Sequence, residues 1–136
     1  MGDNKDFSKN EACYDGQILH GAGSFLCNLK GKYITIVKPE GGYLTLCEVK
    51  AYSSVVNKVE TRGIIHSGNI LDQPGIVATQ SSTAYGGKAS LAIDGNIDGN
   101  YWHRSCEHSG RDERNTWWQV DMLDNYYVEI VEIFNR

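Results

Sequence analysis

The sequence has few prolines, no long apolar run and no concentration of basic residues. It contains two prolines in 136 residues and has 13 Lys and Arg against 17 Asp and Glu, a formal net charge of −4. Because a nucleic-acid-binding surface needs a basic stripe, this composition argues against nucleic acid as a partner. No apolar run approaches the roughly 18 residues of a membrane-spanning helix. No apolar signal-peptide core follows Met1.

Helical periodicity is also weak throughout the chain, whereas alternating apolar and polar runs are frequent. The predicted strands, rich in β-branched and aromatic residues, are 32–37, 42–52, 117–122 and 126–134. Gly41 and Gly42 predict the turn between the first two strands. Several short strands separated by Gly, Asn and Asp clusters indicate one all-β sandwich domain.

Alternation within the last two strands predicts which side chains share a face. Trp118, Val120 and Met122 fall on one side of the first of these strands. In the last strand the side chains expected to share a face are Val128, Ile130 and Phe134. Residues 53–68 show no sustained period, and they fit a connector between two halves of the chain or an ordinary loop between strands.

The four cysteines are an even set without C-x-x-C spacing: Cys13, Cys27, Cys47 and Cys106. Their scatter argues against a zinc ribbon and favours disulfides, with the pairing left open. Disulfides imply an oxidising compartment, so we expect a secreted, extracellular protein. We therefore expect that the signal peptide and the true N-terminus lie outside this chain.

The sequence DGNIDG at 94–99 matches the opening of an EF-hand loop, in which closely spaced oxygens bind a hard cation. The twelfth position of that loop is Ser105 instead of a bidentate Glu, and no helix is predicted on either side. The EF-hand interpretation therefore fails. From spacing alone, a metal-free Asp/Asn/Gly turn is favoured over a calcium site.

Two histidines and a cysteine lie close together in His103, Cys106 and His108. A zinc site needs a fourth ligand, and a Cys–His nucleophile pair needs an orienting partner, and neither is visible. Surface histidines beside a disulfide are the favoured interpretation. No P-loop, G-x-S-x-G or H-E-x-x-H sequence occurs, so we expect a protein that is not an enzyme.

Tyr101 and Trp102 precede this cluster in a polar neighbourhood. Aromatic faces stack on the C–H side of sugars, which makes the pair a candidate carbohydrate contact. The alternative is that the rings pack in the core, and composition favours this alternative for Trp102.

A series of motifs resembles the F-type lectins, or fucolectins, which are calcium-bound, discoidin-like β-jelly-roll domains that recognise fucose. The motifs, in chain order, are 78–82, 89–96, 101–108 and 117–121. Residues 69–136 resemble the N-terminal half of such a domain, and residues 1–52 resemble the C-terminal half, on either side of the connector 53–68. The reversed order implies a fragment across two tandem repeats or a circular permutant, in which the two halves pair into one domain.

The resemblance implies a calcium site and two disulfides. Its ligands would be the backbone carbonyls of Leu91 and Cys47 and the side chains of Asp94, Asn96, Ser105 and Glu48. The implied disulfides are Cys47–Cys106 and Cys13–Cys27. With the distant oxygens of Cys47 and Glu48 added, calcium becomes the favoured interpretation of the 94–99 turn.

The resemblance also implies a sugar site, of which this chain carries a part. His108 matches the histidine of the family motif, and Arg136 matches its first arginine, with 27 residues between them. Tyr101 and Trp102 fall where the family places apolar contacts to the fucose methyl group. The acidic residue and second basic residue of the motif have no counterpart. Because a charged hydrogen-bond donor contributes about 1.5–3 kcal/mol, we expect weak or no fucose affinity.

The sequence therefore predicts a calcium-containing module that binds fucosylated glycans. The expected membrane contact is indirect, through cell-surface glycans, and an oligomer or a tandem-repeat neighbour is a further expectation. Two alternatives stay open. The first is a discoidin-like domain that binds protein or lipid through its loops, and the second is a structural fragment without a ligand.

Overall fold

The computed structural model describes residues 1–14, 16, 21–55, 65–66, 68–111 and 114–136. For residues 54, 55, 65, 66 and 101 we consider the backbone alone. The described part is all-β, with seven strands: β1 (Ala22–Lys38), β2 (Thr45–Tyr52), β3 (Ser54–Val55), β4 (Ile65–His66), β5 (Val77–Gln80), β6 (Glu107–His108) and β7 (Thr116–Asn135). Its short 3-10 helices are Phe7–Lys9, Ile70–Asp72, Ala89–Ile93 and Tyr101–His103. This all-β architecture, as predicted, is consistent with a jelly-roll sandwich.

The strand β7 organises the main antiparallel sheet, whose order is β1-β7-β2-β6. It pairs with β1 along most of its length, with β2 through its C-terminal half and with β5 through its N-terminal half. The two strands expected at 117–122 and 126–134 are therefore one continuous strand. The turn at Gly41 and Gly42 forms with φ angles of 76° and 86°, but β7 lies between the strands that this turn connects.

Burial follows the predicted faces in the first half of β7 and departs from them in the second half. Trp118, Val120 and Met122 are all buried. Past Val128, the buried positions are Val131 and Ile133, whereas Ile130 and Phe134, predicted to share a face with Val128, are half-buried. Opposite this part of β7, the register of β1 shifts between Leu26 and Leu29, and Asn28 has φ of 52°. Such a shift interrupts the regular ladder between two strands, and sequence alternation does not record it.

Trp118 anchors the core by its ring and by its indole nitrogen. The ring is fully buried among aliphatic side chains from β1, β2 and β7. Its Nε1 donates to the carbonyl of Ala89 at 3.0 Å, which fastens the 3-10 helix Ala89–Ile93 to the sheet. Burial of an indole with its donor satisfied is the favourable arrangement for tryptophan. The loop that follows this helix is thereby held close to β2.

Both predicted halves of the chain contribute to the same sheet, because β1 and β2 come from residues 1–52 and β7 from residues 69–136. Gly2 forms a bridge with Tyr33 near the beginning of the chain. Met1 and Arg136 line the same open groove along the sheet. Most of the predicted connector, residues 56–64 and 67, lies outside the described residues. In the described part, no helix has the length and apolarity required to cross a membrane.

Candidate functional site

The disulfide Cys47–Cys106 joins β2 to the segment just before β6. The second disulfide, Cys13–Cys27, connects residues close in sequence. These are the two pairings that the resemblance implies. Because Cys47 is fully buried and precedes Glu48, the first bond brings a buried stretch of β2 against the loop 94–106.

A series of side-chain-to-backbone hydrogen bonds shapes the loop that begins at Asp94. The Oδ1 atom of Asp94 accepts from the backbone N–H of Asn96 at 2.9 Å, and the Oδ1 atom of Asn96 accepts from the backbone N–H of Asp98 at 3.1 Å. Asp98 and Asn100 repeat the pattern two residues further on each time. Asp and Asn favour such turns because the short side chain reaches the backbone two residues later. These polar residues therefore define the path of the loop.

Ser105 and His103 close this loop on Asp98. The hydroxyl of Ser105 donates to the Asp98 carbonyl at 2.5 Å, and His103 Nδ1 pairs with the Asp98 carboxylate at 2.5 Å. The hydrogen bond from His103 lowers the pKa of Asp98. His103 is exposed, with 62% of its side chain accessible, as expected for a surface histidine.

Glu48 is a fully buried carboxyl that faces the start of this loop. Its Oε2 accepts from the backbone N–H of Gly95 at 3.1 Å, whereas Oε1 has no hydrogen-bond partner in the described part of the chain. Burial raises the pKa of Glu48 to about 7, and the nearby Asp94 carboxylate adds to the rise. A buried carboxylate oxygen without a donor, close to a second carboxylate, is the environment that a hard cation would stabilise.

The residues predicted to ligate calcium come from three separate segments of the chain, residues 47–48, 91–96 and 105. Leu91 lies in the 3-10 helix that ends just before Asp94, Cys47 is one cysteine of the disulfide, and Ser105 precedes the other, Cys106. Among the described residues, no three His, Cys, Asp or Glu side chains converge on one point. The predicted set contains two carboxylates, with amide, hydroxyl and carbonyl oxygens for the rest, which is a donor type that calcium accepts. Calcium binding stays a prediction.

A small pocket of about 190 Å³ lies beside this loop. Among the described residues, its lining contains aromatic, basic and glycine residues but no acidic side chain. The lining residues are Tyr85, Gly86, Gly87, Leu91, Trp102, Arg104, Cys106 and His108.

His108 is fixed in this pocket by neighbours from two other segments. Its Nδ1 and the Thr45 hydroxyl share a hydrogen bond of 2.7 Å, and its backbone N–H donates to the Gly87 carbonyl at 2.9 Å. The Tyr43 ring stacks on the imidazole with centroids 4.7 Å apart. A Cβ at position 87 would lie 2.5 Å from the backbone nitrogen of His108, so this close approach of the two segments requires glycine.

The position of His108 differs from the expectation of a surface histidine. It is 5% exposed, and burial lowers its pKa, with the positive charge of Arg136 lowering it further. The imidazole is therefore neutral near pH 7, with one nitrogen engaged by Thr45.

The other predicted sugar contacts have different surroundings. Trp102 lines the pocket and is 82% exposed, so the expectation of a core position is wrong. Arg136 lies at the end of β7, near enough to His108 to influence its charge, but it lines the adjacent groove. The side chain of Tyr101 lies outside the described residues.

Sequence reasoning missed four residues around His108: Tyr43, Thr45, Tyr85 and Arg104. Tyr85 is 74% exposed and precedes a Gly-Gly pair, a pattern that marks a ring presented on a turn. Tyr43 follows the Gly41–Gly42 turn in the same way. Thr45 carries no local signal, because its partner is 63 residues away.

Comparison with known proteins gives similarity to one group. The chain is 47% identical over 64 residues to a fucolectin of Anguilla anguilla, covering 43% of this chain and 40% of that protein. Fucolectin-4 and fucolectin-3 of Anguilla japonica are each 47% identical over 64 residues, with 35% and 34% of those proteins covered. The chain thus spans two fifths or less of the length of these relatives. No family profile matches the chain, and no solved structure matches it.

Proposed function

We propose that this chain, which is related to the F-type lectins (fucolectins), is a non-enzymatic carbohydrate-binding module that recognises terminal fucose at the His108 pocket. The observation that carries this proposal is a buried, neutral histidine held beside an exposed tryptophan in a small pocket. Such a pocket combines a directed polar group with an apolar ring face, which are the two features of a sugar site.

His108 supplies the directed hydrogen bond. Thr45 and Nδ1 of His108 share a hydrogen bond, and in this proposal the Thr45 hydroxyl is its donor. The neutral ring then carries its proton on Nε2 and donates it to the ring oxygen or a hydroxyl of fucose. The Tyr43 ring prevents the imidazole from tilting. Trp102 offers its face to the methyl group and C–H bonds of the sugar, and Arg136 donates from the neighbouring end of β7.

A bound calcium ion is the second part of the proposal. The ligands would be the carbonyl oxygens of Leu91 and Cys47 and side-chain oxygens of Asp94, Asn96, Ser105 and Glu48. A calcium ion would bind the Oε1 atom of Glu48, which has no hydrogen-bond partner among the described residues, and would compensate the negative charge of this carboxylate. The loop 94–105, held in this way against β2, positions Trp102 and the segment that leads to His108.

We further propose that the two parts of the chain act together as one extracellular domain. Support comes from the shared sheet, from the disulfide between Cys47 and Cys106 and from the position of Met1 and Arg136 on one groove. Two disulfides suit an extracellular location. A permuted order of the halves, a tandem neighbour and an oligomer stay predictions.

One observation also favours the alternative of loop-mediated lipid binding. Trp102 and Tyr85 are both exposed, at 82% and 74%, and exposed aromatic rings insert into membrane interfaces as well as stacking on sugars. Binding to phosphatidylserine vesicles that free fucose does not inhibit would support this alternative.

Retention on immobilised L-fucose tests the proposed function. Because part of the family's sugar motif has no counterpart here, we expect weak, calcium-dependent retention of the chain and elution by free fucose, whereas His108→Ala should pass through the column unretained. His103→Ala is the matched control, because this exposed histidine lies outside the pocket lining. No retention of a folded, calcium-loaded chain would refute fucose recognition.

A further inference from the structure

Arg104 is a pocket-lining residue that the fucose proposal does not use. It lies between His103 and Ser105, is exposed, and shares the lining with His108 and Trp102. Its guanidinium makes no hydrogen bond or ion pair within the described residues. A permanently charged group thus faces the pocket, and no described residue occupies its donors.

The backbone of Arg104 adds a second observation. Its φ is 57°, in the left-handed region that glycine occupies at low cost and arginine does not. Strained non-glycine residues cluster at binding sites, where the surrounding structure holds them in place. Here the strained residue carries the cation that reaches the pocket.

The charges around the pocket favour an anion. Among the described residues no acidic side chain lines it, and Arg136 lies close enough to lower the pKa of His108. The whole chain, in contrast, has a net charge of −4. A local positive surface on an acidic protein selects for a negatively charged ligand group.

We propose that Arg104 binds an anionic substituent, a sulfate or a carboxylate, on the sugar next to the fucose in the His108 pocket. This inference rests on the proposed fucose site. Arginine suits the role because its planar fork forms two parallel hydrogen bonds to an oxyanion. The exposed Trp102 and Tyr85 rings on the pocket rim provide stacking surfaces for the neighbouring sugar.

The test compares four glycans by titration calorimetry in calcium: lactose, 3′-sulfolactose, 2′-fucosyllactose and 3′-sulfated 2′-fucosyllactose. We expect the sulfated fucosyl glycan to bind about tenfold more tightly than its neutral counterpart, and this preference should shrink with added salt. Arg104→Gln should remove the preference and leave the affinity for 2′-fucosyllactose within about threefold of the original. A 3′-sialylated 2′-fucosyllactose distinguishes a carboxylate from a sulfate as the preferred group.

Arg114→Gln is the matched control, since it removes one exposed arginine that does not line the pocket. It should retain the preference for sulfate. Equal affinity for the two fucosyl glycans would overturn the role of Arg104 and leave fucose recognition intact. Binding of 3′-sulfolactose alone, lost in Arg104→Gln, would support the oxyanion site and refute fucose recognition. Binding of none of the glycans would overturn both.

Discussion

Glu48 and Glu107 are both fully buried carboxyls, and each follows a cysteine of the same disulfide, yet their surroundings differ. Glu48 accepts one hydrogen bond from Gly95 and lies near Asp94. Neither oxygen of Glu107 has a hydrogen bond of good geometry among the described residues, although the backbone N–H of Leu46 lies close enough to lower its pKa in part. Burial raises the pKa of Glu107 to about 8 and that of Glu48 to about 7.

This difference separates two roles for a buried acid. A second carboxylate beside Glu48 would be unfavourable without a cation, so the pair makes sense as a calcium site. Glu107 has no such neighbour and is best accommodated as the neutral acid. We therefore expect calcium to act on Glu48, whereas pH should act on Glu107.

The largest effect on stability is expected from removal of the Cys47–Cys106 disulfide, whose cysteines precede Glu48 and Glu107. Replacing Cys47 and Cys106 together with serine opens a link across 59 residues, which should lower the free energy of unfolding by about 4 kcal/mol. The variant should also lose its stabilisation by calcium, because Glu48 would no longer be held against the loop. Urea unfolding with and without calcium measures both effects.

The control is replacement of Cys13 and Cys27, which are 14 residues apart. That variant should lose about 3 kcal/mol and keep its full response to calcium. An unchanged calcium response in the Cys47 and Cys106 variant would show that the disulfide does not organise the ion site.

Calcium itself should stabilise the folded protein, by an amount similar to the effect of pH. At about 100 times its dissociation constant, an ion that binds only the folded state adds about 2.7 kcal/mol, which corresponds to a rise in Tm of about 5–10 °C. Glu48→Gln should lose most of this rise in thermal denaturation, whereas Glu107→Gln should retain it. An equal response in both variants would remove the distinction between the carboxyls.

In saturating calcium, where the ion would hold Glu48 ionised, the pH dependence of stability above pH 5 should come mainly from Glu107. Because its folded-state pKa of about 8 lies above the ordinary 4.5, the folded protein binds an extra proton between these values. Stability should therefore fall by about 3 kcal/mol as the pH rises from 5 to 8. Glu107→Gln should flatten this dependence in saturating calcium, measured by urea unfolding. A slope that persists in this variant would assign the titration elsewhere.

The smallest effect is expected at Thr45, which lies opposite His108 in the β2–β6 pair and hydrogen-bonds to its imidazole. Thr45→Val removes the hydrogen bond to Nδ1 and frees the imidazole tautomer. We expect about five- to tenfold weaker fucose binding, or roughly 1 kcal/mol, measured by calorimetry. Unchanged affinity would indicate that Thr45 does not position His108.

The strands could be predicted from the sequence because alternation along a strand is a local property. The burial of Trp118 and Val120 on one face follows directly from this alternation. The burial of Val131 and Ile133 instead of Ile130 and Phe134 could not be predicted, because alternation gives the two faces of a strand and not which distant segments cover each face. The burial of Glu107 was equally unpredictable, because a two-residue strand has no period to interpret.

In the candidate site, too, features with a local sequence signal could be predicted, whereas contacts between distant segments could not. Four cysteines allow three pairings, and the resemblance to a family was needed to choose one. The local series of hydrogen bonds from Asp94 was visible as a polar turn, but the approach of Glu48, 47 residues away from Gly95, was not. The stack of Tyr43 on His108 likewise joins distant segments, and the exposure of Trp102 depends on the loop that carries it.

The most direct test of the account follows the ring nitrogens of histidine by NMR in calcium, with and without L-fucose. The account predicts that Nε2 of His108 is protonated near pH 7 and that its resonance shifts on addition of L-fucose, while His103 stays unchanged. D-glucose should leave both residues unchanged. A fucose-saturated sample in which the His108 resonances do not move would contradict the assignment of this pocket to the sugar.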